Sequence, residues 1–76
     1  MRNGQYYKEI RGENTSVWVV ISHTQRIVDI KHISGPIYHY ESDGAGVFPF
    51  LVSYFTSQFE PMSTLEPVRH INKHTL

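Results

Sequence analysis

The chain lacks cysteine entirely among its 76 residues. Disulfide bonds and thiolate metal sites, which many small domains use because their cores are small, are therefore excluded. A chain of this length forms one domain and depends on packing or on a partner for its stability. Aromatic side chains make up 13% of the sequence. Each covers a large area when buried, so we expect them to supply much of the core.

Long apolar runs are also missing from the sequence. No stretch of about 18 apolar residues is present, so neither a membrane-spanning helix nor a membrane partner is expected. The residues that follow Met1 do not form the apolar run of a secretory signal. We therefore expect a cytoplasmic protein.

A net charge of either sign is absent, since seven basic and seven acidic side chains balance. Residues 1–32 nevertheless hold five of the basic ones, whereas residues 33–66 hold four acidic ones and no lysine or arginine. Proteins that bind nucleic acid usually carry a basic excess that neutralises phosphates, so nucleic acid is not the expected partner. If a nucleic-acid surface exists, its candidate contacts are Arg11, Arg26 and Lys31.

β-Branched and aromatic residues concentrate in short segments that we predict to be strands. VWVVIS, residues 17–22, gives the strongest signal, and residues 26–33 alternate with Val28 and Ile30 on one face. This pattern predicts an antiparallel sheet of three to five strands. The predicted strands are residues 5–10, 17–22, 26–33 and 37–40.

The segment VFPFLVSYFTSQFEPM, residues 47–62, fits two periodicities. A period of two places on one face Phe48, Phe50, Val52 and Tyr54. A helical period places on one face Phe48, Leu51, Val52, Phe55 and Phe59. Pro49 suits the first turn of a helix and Pro61 ends one. We therefore predict one short helix near residues 49–59 that covers the sheet, which makes the fold class α+β.

The chain loses apolar density after Pro61. We predict a single domain over residues 1–62, followed by a loosely packed or disordered tail over residues 63–76.

Histidine is the main candidate for chemistry in this sequence, with five copies. His70 and His74 stand four apart, a spacing known from metal-binding pairs. Two imidazoles without cysteine or a further ligand make an incomplete zinc site. His32 and His39 flank a turn and are candidates for acid–base work, but no nucleophile or anion site accompanies them. We expect no catalytic site, no metal site and no cofactor.

A protein partner is the expected ligand, and two features are candidates for its binding surface. The predicted edge strand IYHY offers unpaired backbone groups, which nominates Tyr38, His39 and Tyr40. Trp18 is either a core residue of its aliphatic strand or, on the outer face, a further partner contact. Self-association into a homodimer through the same edge is a related expectation.

The sequence also resembles short uncharacterised proteins of enterobacterial lambdoid prophages. The matching segments are Gly4–Tyr7, Arg11–Gly12, Val17–Val20, Gln25–Val28 and Phe55–Pro61. The resemblance implies a compact SH3-like or barrel-like sheet and a phage accessory protein, and it implies no catalytic residue. The interval 34–46 and the residues after Pro61 depart from that pattern.

Small size, neutral charge and the lack of a catalytic constellation favour one function. We expect a small non-enzymatic interaction module, borne by a phage or mobile element, that binds a host or phage protein. The alternative is a small barrel that binds nucleic acid. A small hydrolase or nuclease toxin that uses histidine and tyrosine is the third candidate.

Overall fold

The computed structural model describes residues 1–62 and forms five strands and one short helix there. In chain order the elements are β1 (Tyr6–Arg11), β2 (Asn14–His23), β3 (Ile27–Ser34), β4 (Val47–Leu51), α1 (Val52–Gln58) and β5 (Phe59–Pro61). Neighbouring strands are antiparallel, and their order in the sheet is β4-β3-β2-β1-β5. The predicted α+β fold, a small antiparallel sheet with one short helix, is confirmed.

Helix α1 carries the chain from β4 at one edge of the sheet to β5 at the other edge. Strand β2, the central strand, shifts register twice against β3, between Val17 and Trp18 and between Val20 and Ser22. Bulges of this kind bend a strand and increase its twist. Phe50 of β4 and Phe59 of β5, from the two opposite edges of the sheet, contact each other at a centroid distance of 5.4 Å, so the sheet curls around one core.

Alternate residues of each strand point into this core, as the period of a strand requires. On β3 the inward positions Val28 and Ile30 are completely buried, whereas Lys31, on the outward face of the same strand, is exposed. The alternation predicted for residues 26–33 is thereby confirmed. The buried apolar residues are Tyr7, Trp18, Val20, Val28, Ile30, Phe48, Phe50, Phe55 and Phe59.

Trp18 occupies the centre of the core and is completely buried. Its ring makes edge contacts with Phe48, at a centroid distance of 5.2 Å, and with Phe59, at 6.0 Å. Such aromatic pairs contribute about 0.5–1.5 kcal/mol beyond the area that they bury. Trp18 is therefore a core residue, and its nomination as a partner contact is wrong.

Helix α1 is shorter than predicted and starts at Val52, because residues 47–51 follow the period of a strand. Phe48 and Phe50 both face the core, while Leu51 between strand and helix is 57% exposed. Pro49 therefore lies in an edge strand and not in the first turn of a helix. A proline without an N–H group is tolerated there because an edge strand has one unpaired side.

Phe55 anchors the helix on the core, as the helical period predicted. Its ring stacks on Phe59 at a centroid distance of 4.6 Å and contacts Tyr7 at the same distance. Complete burial of such a side chain stabilises the fold by about 1.5–3 kcal/mol. Phe55 is the one buried residue of α1, so the attachment of this helix depends on it.

The strand predicted for residues 37–40 is wrong, since these residues have no strand partner within the described part of the chain. After β3 the backbone turns at Gly35, whose φ of +87° is open to glycine at little cost. The residues between β3 and β4, 35–46, form a loop that brings Tyr40 against the core. The edges of the sheet are instead formed by β4 and β5.

The predicted tail, residues 63–76, and the metal-pair spacing of His70 and His74 lie outside the described residues. Within residues 1–62 no helix is long and apolar enough to cross a membrane.

Candidate functional site

A buried glutamate lies on the inward face of β1. Glu9 is 2% exposed, because it occupies the inward position of β1 that follows Tyr7 and pairs with Ser16 of β2. A carboxylate removed from water costs several kcal/mol unless it is paired and hydrogen-bonded. The structure supplies these partners from the same strand and from the loop of residues 35–46 between β3 and β4, called the loop below.

Arg11 and Tyr40 satisfy one oxygen of this carboxylate. Arg11 is two residues beyond Glu9 on the same face of β1, and its Nε donates to Glu9 Oε2 at 3.1 Å. The hydroxyl of Tyr40 donates to the same oxygen, and Arg11 Nη2 donates to the Tyr40 hydroxyl oxygen at 2.7 Å. Among the described residues, Glu9 Oε1 has no hydrogen-bond partner. The three side chains thus form a closed polar triangle.

The guanidinium of Arg11 also lies against two aromatic rings of the loop. Its central carbon is 4.4 Å from the ring centroid of Tyr38 and 5.6 Å from that of Tyr40. A cation over the face of an aromatic ring is attracted by the ring quadrupole. Arg11 therefore fastens the loop to β1 by stacking as well as by hydrogen bonds. We call Glu9, Arg11, Tyr38 and Tyr40 the polar cluster.

Tyr40 links the polar cluster to the core. Burial, followed by the hydrogen bond to Glu9, raises the pKa of Tyr40 above the ordinary value for tyrosine. The hydroxyl therefore stays protonated at neutral pH and can act as the donor to Glu9. The ring of Tyr40 contacts Phe50 at a centroid distance of 4.8 Å and Trp18 at 6.1 Å.

The start of the loop is held close to β2 and β3. Ser16 Oγ donates to the carbonyl oxygen of Pro36, and His32 Nε2 lies 2.7 Å from the carbonyl oxygen of Gly35. A Cβ atom at Gly35 would lie 2.3 Å from the carbonyl oxygen of Thr15. Only glycine therefore allows this close approach of the loop to the sheet.

An open groove of about 520 Å³ runs beside Tyr40, between the loop, β4 and the first turn of α1. Its lining residues are His39, Tyr40, Glu41, Pro49, Phe50, Leu51 and Tyr54. Leu51 is 57% exposed and Tyr54 is 41% exposed. Ile27, which pairs with Leu51 across the sheet, is also exposed and extends the apolar surface onto β3. We call the surface lined by these seven residues the groove, and Ile27 lies beside it.

The free edge of β4, next to the groove, offers few backbone groups to a further strand. Val47 uses both of its outward groups on Asp43, because its N–H donates to Asp43 Oδ1 and its carbonyl accepts from the Asp43 N–H. Hydrogen-bonding directions alternate along a strand, so Pro49 faces the same side and has no N–H to donate. Proline on an edge strand opposes pairing with another chain. This edge is thus poorly suited to pair with a further strand.

The structure brings the loop candidates together but separates the basic candidates. Tyr40 and His39 line the groove, whereas Tyr38 belongs to the polar cluster. Arg11 ends β1 opposite Asn14, at the start of β2. Arg26 lies in the turn beyond the other end of β2, and Lys31 is exposed in the middle of β3. These three basic residues do not share one surface.

Sequence reasoning misses Glu9 and the groove residues Leu51 and Tyr54. The helical period assigns Leu51 to a buried stripe, which is wrong because the chain is a strand up to Leu51 and becomes helical only at Val52. Glu9 carries a weak signal, since it alternates with Tyr7 on the predicted first strand, where an inward charge is unexpected. Which loop covers it is not readable from the sequence, because its partner Tyr40 is 31 residues away.

Comparisons with known proteins add no function: no family model, no curated protein and no solved structure matches this chain. The resemblance to prophage proteins therefore stays a prediction. Within residues 1–62, no group of three or more His, Cys, Asp or Glu side chains is placed to hold a metal ion. The arrangement that remains is an apolar and aromatic groove supported from behind by a polar cluster.

Proposed function

We propose that the protein is a small non-enzymatic interaction module that binds a protein partner through the groove. The observation that carries this proposal is the groove, in which the exposed Leu51 and Tyr54 lie beside Phe50, with the exposed Ile27 paired next to Leu51 on β3. Contiguous exposed apolar surface on a small domain is typical of interaction sites. A solvated surface of mixed charge would not require three large apolar side chains to lie together.

The polar cluster supports the same proposal because it holds one wall of the groove in place. Tyr40 contributes its ring to the groove and its hydroxyl to the buried Glu9. Arg11 closes the arrangement from β1. A wall held in this way needs little ordering when a ligand binds, and preorganisation of this kind increases affinity.

The partner we propose is a host or phage protein, in line with the prophage resemblance of the sequence. Self-association through the groove is the related outcome, in which the partner is a second copy of the chain. Nucleic acid is disfavoured because Arg11, Arg26 and Lys31 are spread over the two ends and the middle of the sheet.

A capture experiment with matched variants tests the proposal. Purified wild type, Leu51→Ser and Ile10→Ser proteins are immobilised, and proteins retained from a bacterial lysate are quantified by mass spectrometry. Ile10 is the control because it is 52% exposed, like Leu51 at 57%, but lies on β1. We expect a partner that wild type and Ile10→Ser retain and that Leu51→Ser loses. Equal retention by all three proteins would contradict binding through the groove.

Two further measurements distinguish the other classes of ligand. Sedimentation of the purified protein tests self-association, which predicts a dimer that Leu51→Ser converts to monomer. Anisotropy titrations with random single-stranded and duplex oligonucleotides test nucleic acid. We expect no binding tighter than roughly tens of micromolar at physiological salt, the level of non-specific binding. Submicromolar binding that Arg26→Ala and Lys31→Ala abolish would replace our proposal with the nucleic-acid alternative.

A further inference from the structure

The residues that line the groove include one carboxylate, Glu41, and no lysine or arginine, and Arg26 lies outside this lining, beyond Leu51. Residues 33–62, which build the loop, β4, α1 and β5, contain Glu41, Asp43 and Glu60 and no lysine or arginine. Asp43 accepts from the backbone N–H groups of Ala45 and Val47, and Glu60 pairs with Lys8 across the sheet. Glu41 is exposed and lines the groove itself. A cationic group on a ligand would complement this one carboxylate of the groove.

The groove also presents aromatic rings to a ligand. Phe50 contacts Tyr40 at a centroid distance of 4.8 Å and Tyr54 at 5.8 Å, so the three rings form one cluster. Aromatic faces attract ammonium and guanidinium groups, and more strongly where water is displaced. Tyr40 already does so within this molecule, because the Arg11 guanidinium lies 5.6 Å from its ring centroid.

We propose that the groove recognises a protein segment in which an arginine or lysine stands next to an apolar residue. The apolar residue packs on Leu51 and Pro49. The cation lies against the ring of Tyr54 and pairs with the carboxylate of Glu41. This inference rests on the proposed function and adds the chemical class of the partner segment to it.

Selection from a phage-displayed library of random peptides on the immobilised full chain tests separately whether the groove binds a peptide and whether the bound peptide carries a cation. Clones are counted only if wild type and Ile10→Ser retain them and Leu51→Ser does not, so that binding at the groove is established first. We expect arginine or lysine beside a large apolar residue in the enriched clones. Enriched groove binders that are neutral or acidic would overturn the cation assignment but leave the groove as a binding site. If no clone depended on Leu51, the result would contradict the groove as a binding site. It would therefore contradict both the proposed function and the preference for a cationic segment.

Variants of Tyr54 and Glu41 then test how the cation is held. The probe is an enriched synthetic peptide and its counterpart in which norleucine replaces the basic residue, both titrated by anisotropy. We expect norleucine to weaken binding roughly tenfold. Tyr54→Phe keeps the ring and should retain affinity within about twofold, whereas Tyr54→Leu should weaken the cationic peptide about fivefold. Glu41→Gln should weaken it about threefold, and Glu13→Gln, an exposed control in the β1–β2 turn, should not.

The decisive result is whether Tyr54→Leu weakens the cationic peptide more than the norleucine peptide. If Tyr54→Leu weakens the norleucine peptide as much as the cationic one, the ring acts as apolar surface only and the cation assignment is wrong. The same conclusion follows if a rise in salt from about 0.05 to 0.5 M leaves the cationic peptide unaffected, since exposed charges are screened over this range.

Discussion

Tyr40→Phe tests whether the polar cluster stabilises the fold through the buried carboxylate. The change removes one hydroxyl group, which donates to Glu9 Oε2 and accepts from Arg11 Nη2 at 2.7 Å. The aromatic ring and its 4.8 Å contact with Phe50 are retained. The variant therefore isolates hydrogen bonding from packing.

The magnitude follows from the burial of Glu9, which is 2% exposed and has two hydrogen-bond partners on Oε2. A hydrogen bond to a charged group contributes about 1.5–3 kcal/mol. The bond between Arg11 and Tyr40 is exposed and adds little. We expect the free energy of unfolding to fall by about 2 kcal/mol. With a urea dependence of about 1 kcal/mol per molar, the urea midpoint falls by about 2 M.

Urea denaturation of four proteins, followed by Trp18 fluorescence, provides the assay. The proteins are wild type, Tyr40→Phe, Glu9→Gln and the double variant, which form a double-mutant cycle. Glu9→Gln keeps the shape of the side chain but removes its charge, so Tyr40→Phe should cost about 1 kcal/mol less in that background. Tyr6→Phe is the control, since Tyr6 lies on the opposite face of β1 from Glu9.

Two results would refute this reasoning. A loss below about 0.5 kcal/mol in Tyr40→Phe would show that water replaces the hydroxyl without cost. An equal loss from Tyr40→Phe in the wild-type background and in the Glu9→Gln background would show that the hydroxyl does not act on the carboxylate.

Three further outcomes concern packing, pH and the loop. Phe55→Ala should cost about 3–5 kcal/mol and leave the protein largely unfolded in circular dichroism, because Phe55 is completely buried and anchors α1. Since the pKa of Tyr40 is raised in the folded state, stability should be full below about pH 10 and fall as the pH rises above it, where the unfolded tyrosine ionises. Tyr40→Phe should show a shallower alkaline loss in the same urea titrations. Gly35→Ala should destabilise the protein strongly, because its Cβ would meet the carbonyl oxygen of Thr15 at 2.3 Å. Gly44→Ala should cost only about 1–2 kcal/mol for its positive φ.

Each of these outcomes has a contrary result. A cooperative melt of Phe55→Ala near that of wild type would place the helix outside the core. Identical alkaline profiles for wild type and Tyr40→Phe would remove Tyr40 from the pH dependence. Equal costs at Gly35 and Gly44 would show that backbone conformation, and not the contact with Thr15, determines the effect.

Sequence reasoning succeeds in the strands and the helix that local patterns specify. Residues 17–22 and 26–33 are predicted as strands because β-branched residues and a period of two act over neighbouring positions. The helical period likewise places Phe55 in the core. The prediction is wrong at residues 48–51, which fit both a helical period and a strand alternation. These residues form a strand because they pair with β3 at the edge of the sheet.

The candidate site is recovered only in part. Tyr40 and His39 are predicted to form a docking edge strand, and they do line the groove, but as part of the loop between β3 and β4. The segment IYHY satisfies strand propensity, yet the turn at Gly35 directs the chain away from β3. Here tertiary contacts override the strand propensity of four residues, because Tyr38 stacks on Arg11 and Tyr40 packs against the core.

By itself the sequence determined the absence of disulfides, the balance of charge, the α+β class, the strands β2 and β3 and the aromatic character of the core. These properties depend on composition and on contacts between residues close in the chain. Only the tertiary structure decided that Glu9 is buried, that Tyr40 covers it and that Leu51 and Tyr54 face the solvent together. The burial of Glu9 depends on Tyr40, which is 31 residues away in the chain. The exposure of Leu51 and Tyr54 depends on the path of α1 from one edge of the sheet to the other. Contacts between residues far apart in the chain produce no periodic pattern in the sequence. Their spacing depends on the fold and not on the repeat of a helix or strand.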